Sequence, residues 1–224
     1  MEVHAPHGHV QSFRDVAVHL AIVTVGILIA LGLEQAVEWY HHREVADQAR
    51  ETIVNELRNN KSTLDRQLAN FPKFRADAVK AFHFISDYKD HGKTKIEWTG
   101  AFYYSAPLRS TSWSTAQTVG ALAFMPYSEV EKFAALYRAQ EDYLAAQDIT
   151  YEALISAAGI ISAQKQVSDD AAAYYRGISQ GEYETARTRI MTALASLSSQ
   201  LNKAERLDRQ YSELLGGKSK NEER

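Results

Sequence analysis

One apolar run constrains the fold of this chain more than any other feature. Residues 16–33 read VAVHLAIVTVGILIALGL and are apolar throughout apart from His19 and Thr24. At 1.5 Å per residue the run is roughly 27 Å long as a helix, which is enough to cross the hydrocarbon core of a bilayer. We therefore expect a transmembrane anchor over residues 13–40, preceded by a flexible tail over residues 1–12.

A cleaved signal peptide is the alternative interpretation of the same run. Arg14 would supply its positive n-region, and Ala30-Leu31-Gly32 loosely resembles a small-x-small cleavage site. The run is long for the apolar region of a signal peptide, which favours an uncleaved anchor in contact with the lipid bilayer.

The charges beside the run do not fix its orientation. Arg14 precedes it, and Arg43 and Arg50 follow it, so the lysine and arginine count is nearly uninformative. Because the N-terminal segment is short and lacks a signal of its own, we expect a signal-anchor. The N-terminus would then be cytoplasmic and the C-terminal domain outside the cytoplasm.

Within the run, His19, Gly26 and Ala30 lie on one helical face. Gly26 and Ala30 form a small-xxx-small pair, which lets two helix backbones approach closely in lipid. The alternative is that these small residues are simply common in spans. An imidazole within the membrane is costly unless it reaches the interface or a partner, and His19 lies near one end of the run. We take the three residues as candidate helix-packing positions.

Composition excludes several classes of function. The chain has 24% charged residues and a formal net charge of −3, whereas a nucleic-acid-binding protein normally shows a basic stripe. It has no cysteine, which excludes disulfides, thiolate metal sites and a thiol nucleophile. The sequence also lacks GxGxxG, P-loop, GxSxG and HExxH motifs. We therefore expect no nucleic-acid partner, cofactor, metal site or enzymatic activity.

The helix of the apolar run is expected to continue beyond it. No proline or glycine separates Gly32 from Pro72, and apolar residues recur there every three to four positions. Pro72 should end or kink this helix, and a second helical pattern covers residues 76–88. Residues 93–107 break the pattern. Their aromatic residues define a candidate interaction loop, pinned to the protein's own bundle or to a partner: Trp98, Phe102, Tyr103 and Tyr104.

Three more helices are predicted before the last one. The first covers residues 110–124, with Ser110 or Thr111 as its N-cap and Gly120 packed closely against a neighbour. A long helix then begins at Ser128, with Glu131 completing a capping box, and a short helix follows over residues 168–175. The long helix has an apolar stripe interrupted by polar residues: Phe133, Tyr137, Gln140, Leu144, Gln147, Tyr151, Leu154, Ala158 and Ile161. Its members Gln140, Gln147 and Tyr151 form a candidate polar seam for a small ligand.

The last helix is predicted to begin near Glu182 and to end at Gly216, before a disordered tail over residues 216–224. Its stripe is a heptad pattern broken only by Asp208, which is typical of coiled-coil packing: Ile190, Leu194, Leu197, Leu201, Ala204, Asp208, Tyr211 and Leu215. In the alternative register, Leu207 takes the core position. The predicted fold is therefore all-α, a transmembrane helix continuing into an extended antiparallel helical bundle over residues 41–215 with coiled-coil-like seams.

Two segments resemble a group of uncharacterised bacterial single-span membrane proteins. One is VGILIAL at residues 25–31, followed by an acid and later by Trp39; the other spans residues 113–137, from Trp113 through Gly120 to Tyr137. The resemblance implies a bacterial envelope protein with a helical extracytoplasmic domain, and it supplies no catalytic residues. Together with the expected orientation, it implies a single-pass protein of the bacterial inner membrane whose C-terminal domain is periplasmic.

The patterns favour a non-enzymatic scaffold or accessory subunit that assembles through its span and bundle, either with itself as a homo-oligomer or within a larger membrane complex. The alternative is a periplasmic sensor that binds a small ligand in the polar seam and signals through a partner.

Overall fold

The protein is all-α in the parts that the structure, a computed structural model, describes: residues 13–91, 103–162 and 179–216. Four helices occur there: α1 (Phe13–His91), α2 (Thr111–Thr118), α3 (Tyr127–Ser162) and α4 (Gln180–Gly216). A 3-10 turn at Ala121–Phe124 separates α2 from α3. The predicted fold class is confirmed. The predicted tails, the helix over residues 168–175 and most of the aromatic loop lie outside the described residues.

Helix α1 runs without interruption through the apolar run and into the bundle. Its 79 residues correspond to a length of about 119 Å at the α-helical rise. Pro72 lies inside α1 and does not end it, although an internal proline costs a helix about 3 kcal/mol. Phe71 and Phe74 on either side of it are each only 3% exposed. We attribute the continuity of α1 to this burial, and residues 76–88 belong to the same helix rather than to a second one.

Helices α1 and α3 run in the same direction. The Arg50 guanidinium of α1 binds Glu129 at the start of α3. About ten residues further along both helices, Asn60 binds Gln140. We call the end of the bundle next to the apolar run the near end, and the opposite end the far end. Both helices therefore rise from the near end to the far end.

Helix α4 returns in the opposite direction and packs against both α1 and α3. Near the far end, the Arg187 guanidinium lies 5.9 Å from the Phe82 ring centre. Towards the near end, Lys61 Nζ lies 2.8 Å from a carboxylate oxygen of Asp208. This ion pair corrects the predicted seam, because Leu207 is fully buried while the Asp208 side chain is 30% exposed.

The remaining element lies between α1 and α3 in the chain. It consists of a strap, the non-helical residues 103–110, followed by α2. Gln67 of α1 binds the strap at Tyr104, Asn60 binds it at Arg109, and Glu56 binds the α2 residue Ser112. The strap therefore descends towards the near end while α1 rises. In chain order the bundle alternates up, down, up and down, and half of its second element is non-helical chain.

Two predicted local features differ in the structure. Gly120 has a φ of 72° and follows α2, with no atom within 4 Å of an added Cβ. It is thus a left-handed turn residue rather than a site of close packing. Ser128 is not the cap of α3, since the helix begins one residue earlier at Tyr127. The carbonyl of Pro126 accepts the Glu129 N–H there instead.

Candidate functional site

The apolar run lies entirely outside the bundle. It is long and apolar enough to cross a membrane, with a mean hydropathy of 2.6 in its best window and none of that window buried. His19, Gly26 and Ala30 are exposed along the same helix, and an added Cβ at Gly26 would meet nothing within 4 Å. The structure therefore leaves the candidate packing face uncovered by the rest of the described chain.

Two buried side-chain amides hold the strap by paired hydrogen bonds. Gln147 Oε1 accepts the Ala106 N–H at 2.7 Å, and Gln147 Nε2 donates to the Ala106 carbonyl at 3.3 Å. Asn60 does the same at Arg109, accepting its N–H at 2.9 Å and donating to its carbonyl at 2.7 Å. Each amide thus satisfies both backbone groups of one strap residue, as a neighbouring strand would.

Further polar groups extend this seam from both helices. Gln140 Nε2 donates to the Arg109 carbonyl at 2.9 Å, and the Tyr211 hydroxyl donates to Gln140 Oε1 at 2.6 Å. Lower down, Glu56 accepts the Tyr137 hydroxyl at 2.7 Å and the Ser112 N–H at 3.0 Å. The seam amides and this carboxylate therefore bind the protein's own chain.

Burial changes the acidity of the tyrosines along the seam. It raises the pKa of Tyr103 to about 12, although a hydrogen bond to Gln200 opposes the shift. Burial also raises the pKa of Tyr137, Tyr143 and Tyr211 well above the usual range of a phenol. The folded seam therefore favours the neutral form of these phenols.

The predicted seam is brought together only in part. Gln140 and Gln147 are 1% and 4% exposed, whereas Tyr151 is 48% exposed and only tilts towards the Tyr103 ring at 6.4 Å. The buried stripe passes through Tyr143 and Thr150, each 0% exposed. Tyr151 therefore lies outside the seam, on the neighbouring surface of α3.

The described aromatic loop residues are attached to the protein's own bundle. The Tyr103 hydroxyl donates to Gln200 Oε1 at 2.9 Å, and both tyrosine rings, Tyr103 and Tyr104, meet Phe74 edge-on at 5.2 and 5.4 Å. Tyr104 also bonds Asn70 through its hydroxyl. Trp98 and Phe102 of the same candidate loop lie outside the described residues.

The near end carries a group of contacts that the sequence did not predict. The His42 and Phe124 rings stack with centres 3.8 Å apart and planes 10° apart. The Arg50 guanidinium binds both oxygens of Glu129, at 2.6 and 2.9 Å, and this pairing raises the pKa of Arg50. These contacts clamp the 3-10 turn and the start of α3 onto α1.

At and beside this clamp, three large apolar or aromatic side chains remain exposed. We call them the base patch: Val119 is 62% exposed, Phe124 43% and Tyr127 82%. Trp39 and Tyr40 of α1 are exposed close by in sequence, at 62% and 67%, and Arg43 lies 5.6 Å from the Trp39 ring centre. The sequence signal for this patch is Gly120 and Pro126 among apolar residues, because both residue types favour a turn. Apolar side chains on a turn at the end of a bundle are more readily left exposed than those within its helices.

Open cavities occur at the surface of the described bundle. One, of about 680 Å³, lies at the near end between the first turns of α3 and the last turns of α4, where Phe133 and Leu214 contribute to its lining. Another, of about 510 Å³, lies beside Pro72 between α1 and α4. Across the residues described, no three His, Asp or Glu side chains converge as a metal site.

Comparison with known proteins gives no relative from which a role can be transferred. No protein-family model, no curated protein and no solved structure matches the chain.

Proposed function

We propose that this protein is a non-enzymatic, membrane-anchored scaffold or accessory subunit, which assembles through its span and its bundle. The observation that carries the proposal is the continuity of α1, which is both the exposed apolar helix and the first helix of the bundle. A helix shared in this way holds the bundle at a fixed height and bearing above the membrane, which is the property that a scaffold needs.

The polar seam supports this proposal over the ligand sensor. The side-chain amides of Gln140 and Gln147 are already hydrogen-bonded to the strap and to neighbouring tyrosines. A ligand that entered the seam would have to displace backbone contacts that are buried and paired, which is costly. A scaffold needs no such displacement, since its seam serves only to keep the bundle rigid.

We further propose a single-pass topology in a bacterial inner membrane, with the bundle in the periplasm. Protease added to spheroplasts should then degrade the bundle. A bundle that stays intact until the membrane is permeabilised would place it in the cytoplasm and contradict the topology.

The assembly proposal is tested by the mass of the intact particle, purified from its native membrane in mild detergent. We expect a small multiple of the chain mass or a heavier particle with other chains. A single chain, both in detergent and after cross-linking in native membranes, would contradict the proposal.

Substitutions in the span separate specific assembly from detergent effects. Gly26→Leu with Ala30→Leu places bulk on the candidate face and should reduce the particle mass if span packing drives assembly. The matched control is Ala21→Leu with Gly32→Leu, which adds the same bulk away from that face. Loss of assembly in the control alone would contradict a role for the Gly26 face.

A further inference from the structure

We propose that the base patch, Val119, Phe124 and Tyr127, rests in the headgroup region of the bilayer as a second lipid contact beside the span. This inference depends on the proposed membrane anchoring, and adds to it a lipid-binding surface on the bundle itself. With this contact, α1 and the bundle would tilt together towards the side of α1 on which the patch lies.

The first support is the height of the patch. Phe124 stacks on His42, which lies nine residues beyond the apolar run and hence about 14 Å along the helix from its end. Trp39 and Tyr40, typical of the aromatic belt at a membrane surface, lie only about 3–5 Å below His42 along the same axis. The base patch is therefore held just above the level where interfacial aromatics are expected.

The second support is the geometry of a tilted helix. Transmembrane helices lean on average about 20° from the bilayer normal, and neighbouring helices lie about 8–10 Å from each other's axes. A lean of that size towards the patch would lower the patch by about 3 Å more than α1 itself. The turn would then lie about 11 Å beyond the end of the apolar run, and the headgroup layer extends about 5–8 Å beyond the hydrocarbon core. Side chains of the patch that point towards the membrane would therefore have to span only about 3–6 Å to reach the headgroups.

The third support is the chemistry of the exposed groups. The exposed phenol of Tyr127 suits the interface, where one part of a side chain is dry and another is wet. The exposed valine and phenyl ring, which lie within nine residues of it in sequence, add apolar surface. The charged residues of α1 that lie close to His42 in sequence are of both signs: Glu38, Arg43 and Glu44. The mixed charge favours contact with zwitterionic headgroups over a requirement for anionic lipid.

The absence of cysteine from the chain allows a direct test on the full-length protein. Single cysteines are introduced at Val119 and at Tyr127, labelled with a small fluorophore, and the protein is reconstituted in phosphatidylcholine vesicles with a quencher on the lipid headgroup. Ile155 and Met191 are matched controls, since they are 52% and 51% exposed and lie near the far end. A cysteine at Ile27, read with a quencher on the acyl chain, reports on the span.

We expect quenching at Val119 and Tyr127 to be at least threefold stronger than at Ile155 and Met191, with Ile27 quenched by the acyl-chain probe. Equal quenching at patch and control sites, with Ile27 still quenched, would overturn the lipid contact and leave the anchor intact. A fluorophore that is shielded from water at Val119 but not quenched by lipid would mean that a second copy of the chain covers the patch, which also overturns it. No quenching at Ile27 would overturn the membrane anchoring and the patch proposal together.

Discussion

At the scale of single residues, Gln147 and Asn60 replace the backbone partners that a helix or a strand would have given the strap. Ala106 is 3% exposed, so its N–H and carbonyl have no access to solvent and need protein partners. One amide supplies both a donor and an acceptor at the right separation, which neither a carboxylate nor a hydroxyl does. This explains why long polar side chains occupy core positions of α1 and α3.

Removing one of these amides should destabilise the fold. Gln147→Leu leaves two buried backbone groups of Ala106 without partners, at roughly 1–3 kcal/mol each, so we expect a loss of about 2–6 kcal/mol in the free energy of unfolding. Denaturant unfolding followed by far-UV circular dichroism measures it. Gln48→Leu, at an exposed position of α1, is the matched control and should change stability little. Equal effects of the two substitutions would show that the paired bonds are unimportant.

The buried tyrosines predict how the fold responds to alkaline pH. The pKa of Tyr103 is raised from 10.0 to about 12, so its neutral form is favoured in the folded state. The resulting stability is complete below about pH 10 and declines as the pH rises towards 12. Tyr137, Tyr143 and Tyr211 act in the same direction.

We therefore expect part of the tyrosinate absorbance to appear only as helicity is lost, above about pH 10. Absorbance and circular dichroism recorded in one titration test this. If all 12 tyrosines ionise while the helices remain intact, the burial of the phenols is contradicted.

The register of the seam shows how far sequence reasoning reaches at this scale. Alternating steps of three and four residues correctly placed Phe133, Gln140 and Gln147 in the core. Between and beyond them, the sequence favoured Leu144, which is only partly buried against the core, and Tyr151, which is 48% exposed. The fully buried residues there are Tyr143 and Thr150, each one position earlier. Hydrophobicity favours Leu144 and Tyr151 at those positions, and only the strap and α4 decide which side of α3 is covered. Partners distant in sequence supply that information.

At the scale of elements, Gly120 determines how the chain passes from α2 to α3. Its φ of 72° is disfavoured for residues with a Cβ, which pay roughly 1–2 kcal/mol in that conformation. Open space around it means that steric clash adds nothing. The turn, and with it the base patch, therefore depends on backbone freedom at one position.

This gives a prediction from two identical substitutions. Gly120→Ala should destabilise the protein by about 1–2 kcal/mol because of its positive φ. Gly181→Ala, inside the first turn of α4 with open space around it, should stabilise it by about 0.5–1 kcal/mol by restricting the unfolded chain. Unfolding midpoints measured side by side test the pair. Effects of the same sign would contradict the turn assignment.

The elements that sequence reasoning identified correctly are those governed by local pattern. Apolar spacing and the glycine at Gly216 gave the end of α4, and Met125-Pro126 gave the break before α3. The continuity through Pro72 was not predictable, because it depends on how much packing Phe71 and Phe74 gain from other elements. The strap was recognised as irregular, but its place between α1 and α3 follows from amides that lie far from it in sequence.

At the scale of the whole molecule, the anchor and the bundle share a helix but no core. Residues 13–41 are exposed throughout, and the first buried residue of α1 is Ala46, followed by Ala49 and Ile53. The apolar run should therefore contribute nothing to the packing of the bundle, although it continues the same helix.

We expect a fragment that begins at residue 41 to fold in water, with the helicity of the corresponding part of the full chain. A fragment that begins at residue 57 is the control. It lacks Ile53, which is fully buried, as well as Glu56, which binds Tyr137 and Ser112. It should unfold at much lower denaturant concentration or fail to fold. Circular dichroism and denaturant titration distinguish these outcomes, and equal stability of both fragments would contradict the assigned core.

The uninterrupted course of α1 out of the apolar run also fixes the direction, around the axis of α1, in which each side of the bundle faces. Any rotation of the span about its own axis becomes the same rotation of the bundle, since no flexible joint separates them between Leu33 and the first core contact at Ala46. One residue inserted at Ala36 would turn the Phe124 side of the bundle by about 100° and raise it by about 1.5 Å. Seven inserted residues would restore the azimuth to within about 20° but lift the turn by about 10 Å. The rotation of the bundle about α1 and its height above the membrane can thus be changed separately by the number of residues added.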